Sequence, residues 1–173
     1  MVETIIGIGA NLPGADGASP LAGCQRACAR LGEGVGRLRR RSPWYLSEPV
    51  PPSDQPWFVN GAALLDTDLA PEAVLAALHA IERSAGRLRR RRWEARVLDL
   101  DLLAYGDHVT AVAGGVQVPH PRLAERLFVL MPLADVAPHW RHPASGIGID
   151  ALLAARAGDR RPLLVPGSCG EIY

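Results

Sequence analysis

The sequence contains no lysine, and all nineteen residues in its Lys-plus-Arg total are arginine. This absence excludes a lysine-dependent P-loop, a Schiff-base lysine and any other catalytic lysine. Phosphate binding would have to rest on arginine side chains, backbone amides or a metal ion. Codon bias in the source genome is the simpler explanation of the arginine excess, so composition alone indicates no function.

Cysteine and long apolar runs are also scarce. Three cysteines, an odd number, do not favour a disulfide framework. We expect Cys24 and Cys28 to be small buried residues rather than zinc ligands, because no second pair accompanies them. No apolar run reaches membrane-spanning length, and the N-terminus lacks a signal-peptide pattern. These absences predict a cytoplasmic protein with no membrane partner.

Length and charge limit the architecture. A chain of 173 residues that is 48% hydrophobic is expected to form one domain, residues 1–173, with a substantial core. The formal net charge of +1 gives no general attraction to nucleic acids or membranes. Any basic surface must therefore be local.

The basic residues concentrate in one stretch, with six arginines between Arg87 and Arg96. Val97–Tyr105 follows and is predicted to be a strand, because leucines recur in it at every second position. Asp99 and Asp101 would share the opposite face of this strand, roughly 6 to 7 Å apart. The leucine face would be buried in the core.

Two parallel carboxylates beside a basic loop suit a divalent cation that carries a polyphosphate. Magnesium takes oxygen ligands, usually one or two carboxylates completed by water and substrate phosphates. Arginine forks can bind the phosphates and neutralise charge that shifts during transfer. Phosphoryl-type transfer depends on positioning and electrostatics, so it needs no nucleophilic residue.

The same stretch allows an alternative, an RNA-binding or metal-dependent nuclease domain that uses the basic loop Arg87–Arg96. Trp93 could stack on a base, and His120 could assist a nuclease. The two carboxylates argue against this hypothesis, because they would repel a nucleic acid backbone unless a metal ion intervened.

The remaining pattern alternates strands and helices. The predicted elements are a strand from Thr4 that breaks at glycine, a helix from Pro20 to about Leu31 capped by Ser19, strands Val35–Ser47 and Trp57–Thr67, a helix Pro71–Ala85, a short strand Val116–Val118, a helix Ile147–Ala157 and an edge strand Leu163–Val165. With the Val97–Tyr105 strand, this order predicts an α+β fold with a ferredoxin-like core. Its antiparallel sheet would have helices on both faces, giving three layers.

Three local features carry weaker expectations. Gly7 and Gly9 lack the third glycine of a dinucleotide-binding turn, so we expect a simple strand end. The alternate arginines Arg37–Arg41 are expected to form a solvated face. Asn60, after the proline-rich loop Glu48–Pro56, is either a core amide bonded within the protein or a contact to a ligand with donor and acceptor edges.

Four motifs, in order, resemble the 6-hydroxymethyl-7,8-dihydropterin pyrophosphokinases of folate biosynthesis. They are Ser53–Asn60 (SDQPWFVN), the pattern GRxRxxRWxxRxxDxD over Gly86–Asp101, Val118–Pro121 (VPHP) and Arg126–Leu133 (RLFVLMPL). The resemblance covers roughly residues 4–155. It implies transfer of the terminal pyrophosphate of ATP to the pterin hydroxymethyl group, with release of AMP.

The resemblance also implies a set of site residues. Arg87, Arg96, Asp99 and Asp101 would be catalytic, and the two aspartates would hold two Mg²⁺ ions. Arg89, Arg92, Trp93, Leu102, His120 and Arg126 would bind the nucleotide. Asn11, Ser47, Val50, Phe58, Asn60 and Phe128 would bind the pterin. Glu82 matches a helix acid near the arginine loop, and the implied protein is a monomer without nucleic acid partners.

Three departures from the family pattern stand out. Glu94–Ala95 replaces a common Gly-Pro pair, which removes a rigid turn and adds an anion beside the triphosphate path. The usual adenine-side residues are not recognisable in Gly114–Gln117. Residues 159–173 form a C-terminal extension without a family counterpart.

We expect restoration of Gly-Pro at positions 94 and 95 to change ATP affinity or turnover, because the substitution alters both loop rigidity and charge. Steady-state kinetics with varied ATP would measure the effect. Kinetics identical to those of the original chain would contradict this prediction.

Overall fold

The structure, a computed structural model, describes residues 1–86, 96–111 and 115–173. The strands are β1 (Val2–Ala10), β2 (Arg37–Arg41), β3 (Tyr45–Ser47), β4 (Phe58–Thr67), β5 (Asp99–Tyr105), β6 (Thr110–Ala111), β7 (Gln117–Val118), β8 (Leu163–Leu164) and β9 (Glu171–Ile172). The helices are α1 (Pro20–Gly34), α2 (Pro71–Ser84), α3 (Leu127–Val136) and α4 (Ile149–Ala154), with a 3-10 turn at Leu123–Glu125.

Antiparallel strands form the centre of the sheet in the order β5-β1-β4-β2. β1 pairs with β4 along its whole length, from Val2 opposite Thr67 to Ala10 opposite Val59. β3 pairs with one end of β4, while β8 and β9 add to β3 and β2. With α1 and α2 in the connections, this order confirms the predicted ferredoxin-like core.

Helices cover both faces of the sheet, which confirms the predicted three layers. On one face, β1, β4 and β5 pack against α1 and α2 through Ile6, Ile8, Leu65, Leu100, Leu102, Cys28, Leu31, Val74 and Leu78. On the other, the sheet packs against α3 and α4 through Ile5, Ala62, Leu64, Leu103, Leu130, Leu133, Ile149 and Leu152. The alternation of side chains along each strand supplies both cores.

The two cysteines of α1 lie in the first of these cores, as predicted. Burial raises the pKa of the Cys24 thiol to about 12 and that of Cys28 to about 11. Both thiols are therefore protonated at neutral pH, in keeping with small apolar residues. The predicted cap of α1 is also present, since Ser19 Oγ accepts a hydrogen bond from Ala22 N at 3.2 Å.

The prediction of one long strand over 35–47 was wrong. The chain leaves the ladder at Ser42, whose Oγ accepts a hydrogen bond from Ala62 N, and re-enters the sheet as β3. The expected solvated arginine face also fails at its last member. Arg41 is only 8% exposed and pairs with Glu171 at 2.7 Å, because the C-terminal strand covers it.

Helix α3 was missed by the sequence analysis. Its sequence LFVLMPLADV is apolar around most of the helix and contains Pro132, so no single apolar stripe marks it. The predicted bounds of two other helices were inaccurate: α1 continues to Gly34, and α4 spans only Ile149–Ala154. Across the described ranges, no helix has the length and apolar character required to cross a membrane.

We expect Gly61→Ala to destabilise the protein by about 1–3 kcal/mol, because overpacking forces neighbours to move. A Cβ on Gly61 would lie 2.5 Å from Cζ3 of Trp44, which is itself 1% exposed. The matched control is Gly34→Ala in α1, where no heavy atom lies within 4 Å of the added Cβ. Urea unfolding should show a loss only for Gly61→Ala; equal stability of the two variants would contradict the prediction.

Candidate active site

The floor of the candidate site is the part of β1 that lacks side chains. Gly9 lies opposite Asp99 of β5 on one side and opposite Asn60 of β4 on the other. Gly7 lies opposite Asp101 in the same way. A Cβ on Gly7 would come within 3.3 Å of the Leu103 side chain. The glycine pair thus forms a trough between two strands that carry polar side chains, rather than a dinucleotide-binding turn.

A cavity of about 260 Å³ lies over this trough, and the first turn of α3 forms part of its lining. Nine of the predicted site residues line it. They are Ser47, Val50, Phe58, Asn60, Arg96, Asp99, Asp101, Arg126 and Phe128. The cavity therefore brings together residues that are up to 81 positions apart in sequence (128 minus 47).

One end of the cavity combines aromatic rings with an amide. Phe58 comes from β4 and Phe128 from the first turn of α3, and both line the cavity. Asn60 is 6% exposed, and its Nδ2 donates to Ser47 Oγ at 2.9 Å and to Phe58 O at 3.3 Å. Asn60 is thus bonded within the protein, as a core amide would be, and it also borders the cavity, as a ligand contact would.

The other end of the cavity carries charge. Asp99 forms an ion pair with Arg96, and Asp101 lies two residues further along the same face of β5. Burial, followed by the charge of Asp99, raises the pKa of the Asp101 carboxyl to about 6. The positive charges of Arg126 and Arg96 oppose this rise. When both carboxylates are ionised, Asp99 and Asp101 therefore carry negative charge that is only partly compensated by the neighbouring arginines.

His120 and Arg126 lie beside the carboxylates. The backbone N–H of His120 donates to Leu103 O at 2.8 Å, which ties the segment after β7 to β5. Burial, followed by the charge of Arg126, lowers the pKa of the His120 imidazole. Burial likewise lowers the pKa of the Arg126 guanidinium, whose carbon lies 5.7 Å from the centroid of the Phe128 ring. Arg126 thus connects the charged and aromatic ends.

Asn11 does not line the cavity but holds its walls together. Its Oδ1 accepts a hydrogen bond from Arg96 N at 2.7 Å. Its Nδ2 donates to Pro56 O at 3.1 Å and to Gln55 Oε1 at 3.3 Å. Asn11 is 1% exposed, and these bonds fix its amide between Arg96 and residues 55–56; its predicted contact with the pterin stays a prediction.

The side chain of Leu102 does not line the cavity, and its predicted nucleotide contact stays a prediction. Leu102 belongs to the core on the α1 and α2 side, opposite to Asp101, and Leu103 lines the cavity instead. The reason is strand alternation, which places positions 99, 101 and 103 on one face. On the core side, the buried Glu82 accepts a hydrogen bond from Leu100 N at 2.9 Å and so supports β5 from behind.

Several predicted positions lie outside the described residues. These are Arg87, Arg89, Arg92 and Trp93, together with the departure at Glu94–Ala95. Their roles stay predictions.

Sequence reasoning missed other residues that line the cavity, namely Gly7, Gly9, Glu48, Gln55, Leu103 and Val129. Three of these residues, Gly7, Gly9 and Leu103, had a usable signal in the sequence. Leu103 continues the alternation of the two aspartates, and Gly7 and Gly9 leave two successive positions on one face of β1 without a side chain. Glu48 and Gln55 lie in an irregular loop, for which sequence periodicity carries no information.

The fold and the site together define an α+β protein whose cavity joins an acidic, arginine-rich end to an aromatic, amide-bearing end. Such a cavity suits an enzyme that transfers a phosphorylated group to a flat heterocyclic acceptor. The model of the 7,8-dihydro-6-hydroxymethylpterin-pyrophosphokinase family matches residues 5–138. The chain belongs to this family of pyrophosphokinases.

Individual relatives agree with this assignment. A 2-amino-4-hydroxy-6-hydroxymethyldihydropteridine pyrophosphokinase of Pseudomonas aeruginosa is 50% identical over 119 residues, covering 69% of this chain and 72% of the relative. One of Synechocystis is 39% identical over 150 residues, covering 86% and 73%. A solved Plasmodium falciparum HPPK-DHPS structure shares the fold with a TM-score of 0.70 at 11% identity. The match covers 91% of this chain but spans only 45% of the Plasmodium chain.

We expect Asp101→Asn to flatten the pH dependence of stability in metal-free buffer. The folded-state pKa of Asp101 is raised to about 6, so the native state binds its proton more tightly than the unfolded state. The stabilisation is fully present below the unfolded pKa of about 4 and is lost as pH rises through about 6. The variant should therefore gain stability relative to the wild type over this window, on the order of 2 kcal/mol.

Urea unfolding between pH 4 and pH 7 in the presence of a chelator would measure this difference. Asp107→Asn, at an exposed turn after β5, is the control and should retain the wild-type profile. Parallel profiles for Asp101→Asn and the wild type would contradict the prediction.

Proposed function

We propose that the protein uses the cavity over β1 to transfer pyrophosphate from ATP to 6-hydroxymethyl-7,8-dihydropterin. The products are the pterin pyrophosphate and AMP. The hydroxymethyl oxygen would attack the β-phosphorus of ATP, and the bond between this phosphorus and the oxygen bridging it to the α-phosphorus would break. AMP would leave with that oxygen, and the hydroxyl proton would pass to water. The observation that carries the proposal is the presence, in one cavity of a family member, of paired carboxylates at one end and an aromatic pair with an amide at the other.

The pterin is proposed to occupy the aromatic end. A pterin is a flat heterocycle with donor and acceptor edges, so two ring faces and an amide side chain suit it. Phe58 and Phe128 would flank the ring, and Asn60 would bond its edge. Support comes from the bonds of Asn60 Nδ2 to Ser47 and Phe58, which orient the amide before any ligand arrives.

The triphosphate is proposed to occupy the charged end. Arg96 and Arg126 would donate to phosphate oxygens, and both line the cavity next to the aspartates. In the structure, the ion pair with Arg96 compensates the negative charge of the Asp99 carboxylate. His120, whose pKa is lowered, would approach the phosphates as a neutral hydrogen-bonding group at pH 7.

Asp99 and Asp101 are proposed to hold Mg²⁺, with two ions in the working enzyme. Within the described ranges, no group of three or more His, Cys, Asp or Glu side chains could hold a metal ion. Magnesium does not require such a group, since one or two carboxylates with water and phosphate oxygens suffice. The raised pKa of Asp101 fits a site that gains from an added cation. When bound, the metal would neutralise charge on the phosphates during transfer.

The comparisons do not support the alternative of an RNA-binding or nuclease domain. The expected monomeric state and cytoplasmic location stay predictions. The solved Plasmodium falciparum chains carry the double name HPPK-DHPS and are longer than the part that this chain matches. The proposal draws nothing from the part of the Plasmodium chains that lies outside the match.

We expect incubation with ATP, Mg²⁺ and the hydroxymethyl dihydropterin to yield AMP and pterin pyrophosphate. Asp101→Ala should lower turnover by at least about 100-fold, because electrostatic stabilisation of this kind supplies that order of rate. Separation of nucleotides and pterins by chromatography would measure both products. Release of ADP, or turnover independent of the pterin, would contradict the proposal. The control Asp107→Ala should leave product formation unchanged.

A further inference from the structure

The C-terminal segment, residues 159–173, lies beside the part of the sheet that borders the aromatic end of the cavity. Its strand β8 pairs with β3, with Leu164 opposite Tyr45 and Leu163 opposite Leu46. Its strand β9 pairs with β2. The family model ends at residue 138, so this segment lies beyond the matched region.

Further contacts fix the segment to the turn between β2 and β3. Trp44 N donates to Ser168 Oγ at 2.6 Å, and Val165 N donates to Trp44 O at 2.9 Å. Arg41 donates to Glu171 Oε1 at 2.7 Å. These bonds give the segment a defined position relative to β3, the strand that carries Ser47.

Arg160 connects this segment to the proline-rich loop. Its guanidinium pairs with Glu48, and its guanidinium carbon lies 5.7 Å from the ring centroid of Trp57. Glu48 directly follows β3, and Trp57 directly precedes β4, so one side chain contacts both ends of the loop between these strands. Glu48 itself lines the cavity.

The contacts of Arg160 with Glu48 and Trp57 contribute too little energy to matter for the overall stability of the fold. The Arg160 side chain is 73% exposed and that of Glu48 is 34% exposed. Ion pairs at such positions contribute little to folding, and a cation–π contact at an exposed site adds only a small amount. The same energy is significant for the position of one loop, since each factor of ten in affinity needs only about 1.4 kcal/mol.

We propose that Arg160 is a positioning residue for the pterin side of the site. It joins the two ends of the loop 48–57, so that the loop wall and Phe58 are arranged before the pterin binds. This inference rests on the proposed function. The physical gain is preorganisation, because a loop ordered in advance need not lose conformational freedom on binding. The triphosphate end, at Asp99 and Asp101, is not contacted by Arg160 and should be unaffected.

The test compares Arg160→Ala with Arg161→Ala, its neighbour in the sequence. Arg161 is exposed, and no ion pair to it occurs within residues 1–86, 96–111 and 115–173. The dissociation constant for 6-hydroxymethyl-7,8-dihydropterin would be measured by calorimetry, and KM for ATP and Tm would be measured alongside. We expect Arg160→Ala to weaken pterin binding about three- to tenfold with KM for ATP and Tm unchanged. Arg161→Ala should match the wild type.

A double-mutant cycle with Glu48→Gln separates positioning from a general effect. If the pair acts as proposed, Arg160→Ala should have little further effect on pterin affinity once Glu48 is changed. Arg160→Lys, which keeps the charge but loses the planar group over Trp57, should lie between the wild type and Arg160→Ala.

The possible outcomes distinguish this inference from the proposed function. Wild-type protein that makes pterin pyrophosphate, with Arg160→Ala binding pterin equally well, would overturn only the role of Arg160. Equal losses for pterin and ATP, or a matching fall in Tm, would also overturn it in favour of a structural role. Wild-type protein that neither binds the pterin nor releases AMP would reject both.

Discussion

Strand alternation in the centre of the sheet is the constraint on which the site depends. β1 lies between β4 and β5, and its register sets Gly9 beside both Asn60 and Asp99. A larger residue at Gly7 or Gly9 would push into the space between the flanking strands. The absence of side chains at Gly7 and Gly9 on one face of β1 therefore creates the trough, while Ile6 and Ile8 on the other face build the core beneath it.

The same geometry concentrates charge that would otherwise be unfavourable. Asp99 and Asp101 share one face because they are two residues apart, and burial next to Asp99 raises the pKa of Asp101. Arg96 and Arg126 compensate part of this charge. Desolvated carboxylates that are only partly compensated favour cation binding. Burying two adjacent carboxylates lowers the stability of the fold, and buried carboxylates of this kind are rare in a purely structural core. Their presence here is consistent with a binding site.

Edge strands connect the remote C-terminal segment to this site. β9 pairs with β2 at Arg41, and Val165 and Ser168 bond to Trp44 in the turn between β2 and β3. The preceding Arg160 reaches the loop that follows β3. The central trough and the loop wall are therefore positioned by different parts of the chain. The trough depends on the register of β1, whereas the wall is contacted both by Asn11 and by Arg160, which lies beyond the family match.

The order and type of the principal elements, the pair Asp99 and Asp101, and the family were determined by the sequence itself, because periodicity and motif spacing are local properties. Helix α3, the buried Arg41 and the hydrogen bonds of Asn11 were decided only by tertiary structure. An apolar helix has no stripe to reveal it, and the burial of a side chain depends on which distant segment covers it. Asn11 shows the limit most clearly: its sequence position fits a ligand contact, and only the fold reveals its hydrogen bonds to Arg96 and Pro56.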